Sequence, residues 1–268
     1  MALRVVVSGA GGKMGREVAK AIHTASDMEL VGAADPSCAG ADVGELAGVG
    51  SIGVRVAPTL AEALDASGAT HVVDFTTPGA VFDNVMTALD RQRRVVFGTT
   101  GLSGEQLQAI DARARQQGVG VIHAPNFALG AVLMMRFAAE AARFFDSVEI
   151  IELHHDQKVD APSGTAIKTA ELIAQARQGR KEIAATAAAE VDSAARGEVW
   201  DGVRIHSVRL PGLVAHQEVI LGLPGQTLTI RHDSLDRSSF MPGVLLALRR
   251  VDEFEGLVYG LERLLFEG

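Results

Sequence analysis

The chain has 268 residues, of which 47% are hydrophobic, and its formal net charge at pH 7 is −8. This composition excludes a disordered chain and leaves enough apolar surface for one large or two modest cores. No basic run is dense enough to follow a phosphate backbone, so we expect no nucleic-acid partner. The single cysteine, Cys38, excludes an internal disulfide framework.

Two further exclusions concern membranes and export. No apolar run approaches the roughly eighteen residues of a membrane span, so no membrane partner is expected. The start of the chain leads directly into a strand rather than into a signal peptide. A cytoplasmic location is therefore expected.

The first strand, Leu3–Ser8, leads into a glycine turn and then into a segment of helical character, residues 16–23. Such a turn lets the backbone approach a pyrophosphate, which rests on the N-terminus of the following helix. The strict Gly-x-Gly-x-x-Gly pattern fails because Met14 occupies its sixth place, so a merely tight turn stays an alternative. The candidate cofactor-binding residues here are Gly9, Ala10, Gly11, Gly12, Lys13 and Met14.

Asp35 ends the second predicted strand, residues 29–34, at the distance from the glycine turn where dinucleotide sites place an acid. Such a carboxylate accepts hydrogen bonds from the adenosine ribose and repels a 2′-phosphate. Asp35 before Pro36 is also typical of a simple turn, and both interpretations stay open. Because Pro36 carries no charge, the pattern favours NADH, although Lys13 could reach the phosphate of NADPH. NADH, NADPH or both are therefore the expected cofactors.

Three further apolar strands are predicted at residues 70–76, 94–98 and 120–124. Helical stretches at residues 81–90 and 105–117 separate them, and this alternation predicts an α/β fold with a doubly wound parallel (Rossmann) sheet. Such sheets bind ligands at the carboxyl ends of their strands. A second group of candidates, for which ordinary turn chemistry is an equal alternative, lies at one such end: Gly98, Thr99 and Thr100.

The pattern changes after residue 126. Residues 130–145 are predicted to form a buried helix whose Met134 and Met135 pack in the hydrophobic core. Strands at residues 204–210, 217–223 and 227–230, joined by Pro-Gly turns, predict a second α+β domain on a mixed or antiparallel sheet. The strand-borne Arg209, His206 and His216 are interpreted as satisfied surface residues. The alanine-rich residues 184–195 offer no chemistry, and residues 237–250 and 257–266 have helical character.

The densest group of reactive side chains follows a strand at residues 148–153 and precedes a helix at residues 166–177. The strand ends in His154 and His155, and Lys158 supplies a cation. A helix N-terminus offers free N–H groups to an anion, so a substrate carboxylate can be held there together with Lys158. The turn that would hold it consists of Ser163, Gly164 and Thr165.

The histidine pair has two other interpretations, a metal site and a purely structural role. A metal site is disfavoured because neighbouring side chains on a strand point to opposite faces, so no metal is expected. A purely structural role is common for single histidines, but here the pair precedes an anion-binding turn. A histidine is suited to proton transfer near neutral pH, which favours an acid–base role.

The segment Glu-Leu-His-His-Asp-Gln-Lys-Val-Asp-Ala-Pro-Ser-Gly-Thr-Ala, residues 152–166, resembles the substrate loop of the dihydrodipicolinate reductase family. The resemblance extends over nearly the whole chain. It includes the glycine turn, Gly98-Thr99-Thr100-Gly101, Ala124-Pro125-Asn126-Phe127 and His206-Ser207-Val208-Arg209. Asp156-Gln157 replaces an arginine and a histidine of some members, which lowers the local positive charge.

The resemblance implies a reductase of the diaminopimelate and lysine pathway that reduces 4-hydroxy-tetrahydrodipicolinate, a small dicarboxylate, with a nicotinamide cofactor. It implies a dinucleotide-binding domain of residues 1–126 and 236–268, and a substrate-binding and oligomerisation domain of residues 127–235 that forms a homotetramer. It further implies that His154 and Lys158 are catalytic and that His155, Gly164 and Thr165 bind substrate. It also implies that the cofactor is bordered by Ala124, Pro125, Asn126 and Phe127.

Two alternative functions stay open from the sequence. One is another nicotinamide-dependent dehydrogenase of similar fold. The other is a non-catalytic NADH-binding sensor, against which the absence of an obvious DNA-binding element weighs. Oxidation of NADH only with the dihydrodipicolinate synthase product would separate the main interpretation from both.

Overall fold

The computed structural model describes residues 2–177 and 193–266. The chain divides into two units: unit 1 is Met1–Phe127 with Phe240–Gly268, and unit 2 is Ala128–Ser239. Most of the alanine-rich stretch at residues 184–195 lies outside the described residues.

The strands of the described residues, in chain order, are β1 (Leu3–Ser8), β2 (Met28–Ala34), β3 (Val56–Ala57), β4 (His71–Asp74), β5 (Arg94–Phe97), β6 (Gly120–His123), β7 (Ser147–His154), β8 (Glu198–Trp200), β9 (Val203–Arg209), β10 (Ala215–Leu223), β11 (Gln226–Ser234) and β12 (Gly256–Tyr259). The helices are α1 (Lys13–Thr24), α2 (Val43–Ala47), α3 (Leu60–Ser67), α4 (Pro78–Asp90), α5 (Gly104–Gln117), α6 (Leu129–Ala142), α7 (Gly164–Ala176), α8 (Met241–Arg250) and α9 (Glu262–Phe266). Of these helices, none is long and apolar enough to cross a membrane.

Unit 1 is built on a parallel sheet with the strand order β12-β6-β5-β4-β1-β2-β3 within the described residues. Its central strands are short apolar runs, such as Val5, Val6 and Val7 of β1, which are completely buried. Burial on both faces is what a parallel sheet covered by helices requires. The predicted doubly wound sheet is confirmed.

The order of the strands reverses between β1 and β4. From β1 the chain adds β2 and β3 on one side, and from β4 it adds β5 and β6 on the other. This is the switch point of a doubly wound sheet, where the connections on either side leave a crevice at the carboxyl edge. The turns after β1 and β4 therefore border the place where such sheets bind ligands.

The prediction of a helix over residues 257–266 is wrong in its first half. Leu257, Val258 and Tyr259 belong to β12, which pairs in parallel with β6. Gly256 and Gly260 flank this short run with φ angles of +85° and +82°, a left-handed conformation that interrupts a helix. Only α9 is helical. Partners more than a hundred residues away in sequence supply the hydrogen bonds, so the local pattern did not predict the strand.

Unit 2 is built on a mixed sheet with the order β11-β10-β7-β9-β8 within the described residues. β7 lies at its centre, parallel to β9 and antiparallel to β10. One face packs on helices, where Ile150 of β7, Met134 of α6 and Ile173 of α7 are buried. The predicted mixed sheet and the core position of Met134 and Met135 are confirmed.

Candidate functional site

In unit 1 the candidate residues gather at one edge of the sheet. The turns after β1, β2, β4, β5 and β6 all leave the carboxyl ends of parallel strands, and these ends share an edge. Gly9 to Met14, Asp35, Gly98 to Thr100, and Ala124 to Phe127 lie in or directly after these turns. The fold thus assembles every unit 1 candidate along one border.

The glycine turn has the geometry that a pyrophosphate requires. Gly9 has a φ of +81°, and a Cβ at Gly15 would lie 2.0 Å from the Gly9 carbonyl oxygen, so α1 packs directly on the turn. Helix α1 has no side-chain cap at its N-terminus. Its first-turn N–H groups therefore remain available to an anion. The residues of this turn fit a dinucleotide.

Asp35 is bonded to the glycine turn and to its own turn at once. Its Oδ2 accepts a hydrogen bond from the Gly11 N–H at 2.9 Å, and its Oδ1 accepts from the N–H and hydroxyl of Ser37 at 2.9 and 2.6 Å. Partial burial opposes ionisation, but these hydrogen bonds outweigh it and lower the pKa of Asp35. Asp35 therefore does form a turn with Ser37, and its ionised carboxylate also lies beside the glycine turn.

Phe75, in the turn after β4, contacts three of the candidate segments. A Cβ at Gly9 would lie 2.8 Å from its carbonyl oxygen, and a Cβ at Gly98 would lie 2.3 Å from its ring. Its ring centroid is 5.6 Å from that of Phe127. Glycine is thus required at Gly9 and Gly98 because Phe75 fills the space that a side chain would need.

A buried polar network around Asp74 fixes the turn after β4. Asp74 is fully buried and accepts hydrogen bonds from the Thr76 N–H at 2.9 Å and from Asn84 at 2.9 Å. Burial raises the pKa of Asp74, against the effect of these hydrogen bonds. The Thr99 hydroxyl donates to the Thr76 carbonyl at 2.8 Å, which ties the turns after β4 and β5 together.

His123, at the end of β6 and directly before Ala124, is an aromatic core residue. Its ring stacks on Phe97 at 4.2 Å and meets Tyr259 edge-on at 5.1 Å. Burial lowers the pKa of His123 to about 4. The imidazole therefore stays neutral in the folded protein at pH values where an unfolded chain would protonate it.

This predicts an acid-sensitive contribution to stability. The unfolded histidine gains a proton below about pH 6.5 while the folded one does not, so stability is lost as pH falls from about 6.5 towards 4. The loss is at most about 3 kcal/mol. His123→Phe should keep the aromatic stack and flatten this part of the pH dependence, as measured by urea unfolding at several pH values. Equal slopes for the two proteins would contradict the prediction.

In unit 2 the candidate site begins where β7 ends. Glu152 and His154 are two residues apart on the strand and so share a face. Glu152 is fully buried, and its Oε2 lies 2.5 Å from the His154 Nδ1. Arg209, the residue of β9 that pairs with His154, forms a bidentate ion pair with Glu152 at 2.8 Å for both bonds.

The charge state of Glu152 follows from these contacts. Burial alone would raise its pKa, but hydrogen bonds from His154, Arg209 and Ser207 outweigh burial and lower the pKa of Glu152 to about 2. The carboxylate is therefore ionised at neutral pH, and Arg209 balances its charge. The interpretation of Arg209 as a surface residue is wrong, because Arg209 pairs with a buried acid to which the sequence pattern assigned no role.

Lys158 lies in the loop after β7, and its side chain is mostly buried. Its Nζ binds both carboxylate oxygens of Asp160 at 2.7 Å. The hydrogen bond from Lys158 lowers the pKa of Asp160. The Asp160 carbonyl accepts from Arg209 Nη2 at 2.6 Å, so the Lys158 loop and the His154 strand end are connected through Arg209.

The turn before α7 is also tied to this network. Ser163 caps the helix, since its hydroxyl accepts from the Ala166 N–H at 3.2 Å, and its own N–H donates to Glu152 Oε1 at 3.2 Å. Gly164 is exposed, with open space where a Cβ would lie. The candidates therefore lie between the end of β7 and the first turn of α7: His154, Lys158, Ser163, Gly164 and Thr165. His155, the next residue after β7, is exposed.

Two signals in the sequence could have identified the partners of His154. A glutamate two residues before a strand-end histidine shares its face, and an arginine closing a neighbouring strand of the same sheet can reach that face. Among residues 2–177 and 193–266, no three His, Cys, Asp or Glu side chains group closely enough to hold a metal ion. His154 is instead paired with the carboxylate of Glu152.

The fold of the chain resembles that of solved structures with low sequence identity. A solved structure of an amine dehydrogenase from Mycobacterium smegmatis matches it with a TM-score of 0.66 at 17% identity, over 96% of this chain and 94% of that one. A likeness at this identity shows the fold and no more.

The family models described as "Dihydrodipicolinate reductase, N-terminus" and "Dihydrodipicolinate reductase, C-terminus" match residues 3–127 and 130–265. The 4-hydroxy-tetrahydrodipicolinate reductase of Listeria monocytogenes (strain F2365) is 51% identical over 98% of this chain and 100% of its own length. That of Synechococcus elongatus is 51% identical over 97% of this chain and 98% of its own. A dipicolinate-bound dihydrodipicolinate reductase from Paenisporosarcina sp. TG-14 has a TM-score of 0.84 at 45% identity, over 98% and 99% of the two chains.

The chain belongs to the dihydrodipicolinate reductase family. The sequence-based predictions of an oxidoreductase and of a nicotinamide cofactor are thereby confirmed.

Proposed function

We propose that this chain reduces 4-hydroxy-tetrahydrodipicolinate to tetrahydrodipicolinate with NADH or NADPH, in diaminopimelate and lysine biosynthesis in the cytoplasm. The observation that carries the proposal is the loop at the end of β7. There a histidine that contacts a buried carboxylate, a lysine and a helix N-terminus lie within one segment of the chain. The relatives named for this reaction match the chain over nearly its full length.

The substrate is bound by the loop after β7 and the start of α7. Lys158 and the first N–H groups of α7 bind one carboxylate of the substrate, and His155 binds near them. Ser163 holds the turn in shape, while Gly164 and Thr165 present its backbone. Because the Lys158 ammonium is bonded to Asp160, an arriving carboxylate shares or displaces that contact.

The proton transfer takes place at the end of β7. A bound nicotinamide supplies the hydride that reduces the conjugated ring. The ring is then an enamine-like anion that takes a proton at the neighbouring carbon, and His154 donates it, with Lys158 close by as a second donor. In unit 1 the residues that would hold the cofactor are Gly9 to Met14, Asp35, Gly98 to Thr100 and Ala124 to Phe127.

The direct test is a coupled assay in which dihydrodipicolinate synthase makes the substrate and oxidation of each cofactor is followed. Oxidation that depends on the synthase supports the proposal. Cofactor binding without oxidation would support a sensor, and oxidation with other imines alone would support a different dehydrogenase. We propose in addition a homotetramer formed through the sheet of unit 2, which light scattering would test.

The cofactor preference gives a specific prediction. Because Asp35 is ionised beside the glycine turn and Pro36 adds no positive charge, NADH should bind at least as well as NADPH. Asp35→Ala should weaken NADH more than NADPH, by about 1 to 2 kcal/mol, if two charge-assisted hydrogen bonds to the ribose are lost. Dissociation constants for both cofactors measure this.

Ser37→Ala is the matched control, since it removes a hydrogen bond of the turn and keeps the carboxylate. If Asp35→Ala weakened both cofactors equally, as a damaged turn would, Asp35 would have no part in the ribose site.

A further inference from the structure

The Glu152 carboxylate is bound by several hydrogen-bonding groups, of which the Arg209 guanidinium and the Ser163 N–H can only donate. Its Oε1 accepts from Arg209 Nη2 at 2.8 Å and from the Ser163 N–H at 3.2 Å. Its Oε2 accepts from Arg209 Nη1 at 2.8 Å and lies 2.5 Å from His154 Nδ1. A guanidinium and a backbone N–H have no acceptor atom, so both must donate here.

The hydrogen of His154 lies on Nδ1 for a similar reason. An ionised carboxylate is an acceptor only, so the contact at 2.5 Å requires a hydrogen on Nδ1. The neutral imidazole then carries no hydrogen on Nε2, and the protonated ring carries one on each nitrogen. Nε2 is therefore the nitrogen that can give or take a proton.

We propose that Glu152 is the positioning residue of this site and that it holds the Nδ1–H of His154 so that Nε2 donates the proton to the substrate. The inference rests on the proposed function. In the step, the Nε2–H bond breaks and its electron pair stays on Nε2, while the electron pair of the enamine carbon forms the new C–H bond. The imidazole becomes neutral and keeps its Nδ1–H on Glu152.

Glu152→Gln separates positioning from simple packing. If the amide oxygen takes the Oε1 place, Arg209 Nη2 and the Ser163 N–H keep their acceptor. The new NH₂ group then faces His154 Nδ1 and one obligatory donor, Arg209 Nη1. The opposite orientation would direct NH₂ at two obligatory donors. With the NH₂ group facing it, His154 must accept a hydrogen bond at Nδ1. The hydrogen of the neutral ring therefore moves to Nε2, and the protonated ring is disfavoured.

The chain offers a matched control on the same strand. Glu149 lies three residues earlier, on the opposite face of β7, and also binds a histidine and an arginine. It accepts from His206 Nε2 at 2.7 Å and from Arg196 Nη2 at 2.5 Å. Glu149→Gln therefore makes the same chemical change in a second Glu–His–Arg cluster that has no place in the proposed reaction.

The experiment combines NMR and kinetics on the whole protein. With ¹⁵N-labelled histidine, wild type should show a proton bound to His154 Nδ1, assigned by its loss in His154→Gln. Glu152→Gln should lose this signal and show an Nε2-bound proton, and its kcat should fall roughly 10²- to 10⁴-fold, as expected for a wrong histidine tautomer. The KM for the substrate should change little, and Glu149→Gln should match wild type in signal and kcat.

Three results would overturn the inference: an Nε2–H tautomer of neutral His154 in wild type, a wild-type kcat in Glu152→Gln, or equal losses in both glutamate variants. If Glu152→Gln did not fold, the wild-type NMR signal would still decide whether the hydrogen of His154 lies on Nδ1. Absence of turnover in wild type would instead refute the proposed function, while the dependence of the Nδ1–H signal on Glu152 would still test the hydrogen bond.

Discussion

His154→Gln should lower kcat roughly 10²- to 10⁴-fold, the usual contribution of a general acid, with a smaller effect on the KM for the substrate. The reason is that His154 is proposed to act on the proton that moves in the transition state, whereas Lys158 and the start of α7 bind the ground state. The coupled assay, run from about pH 6 to about pH 9 to expose a shifted optimum, measures this.

His206→Gln is the matched control, because His206 lies on β9 and is paired with Glu149. It should leave kcat unchanged. NADH affinity should survive in both variants, because neither histidine belongs to unit 1. Turnover like that of wild type in His154→Gln at every pH would show that the proton comes from another group.

Lys158→Ala should raise the KM for the substrate and lower kcat together. Losing a charge-assisted contact to a substrate carboxylate should raise KM about 10- to 100-fold. Because Lys158 is also proposed to help deliver the proton, kcat should fall as well. Lys168→Ala is the control, since Lys168 is an exposed lysine of α7 whose contact is the Glu171 carboxylate at 3.1 Å.

A fall in kcat with unchanged KM would contradict the binding role of Lys158. The double variant with His154→Gln adds a further test. If the two groups protonate one carbon as a unit, the double variant should lose much less than the product of the two single losses. Losses that multiply would mean that the two residues act independently.

Local sequence patterns determined much of unit 1 and the composition of both candidate sites. β1, the glycine turn and the start of α1 follow from short-range features, namely a β-branched run, residues without a Cβ and a helix-forming segment. The loop from β7 to α7 was also predictable, because its reactive residues are close in sequence. Resemblance to a family then gave those residues roles that spacing alone could not assign.

Only the tertiary structure decided which residues surround these groups. Arg209 reaches Glu152 from 57 positions away, and this contact turns a supposed surface arginine into the counter-ion of a buried acid. The same holds for β12, whose apolar run became a strand because β6 supplies its hydrogen bonds. Local patterns report the conformation of a segment, whereas ion pairs and strand partners depend on which distant segments the fold brings together. The ion pair with Arg209, which keeps Glu152 ionised beside His154, therefore depends on the fold rather than on a local pattern.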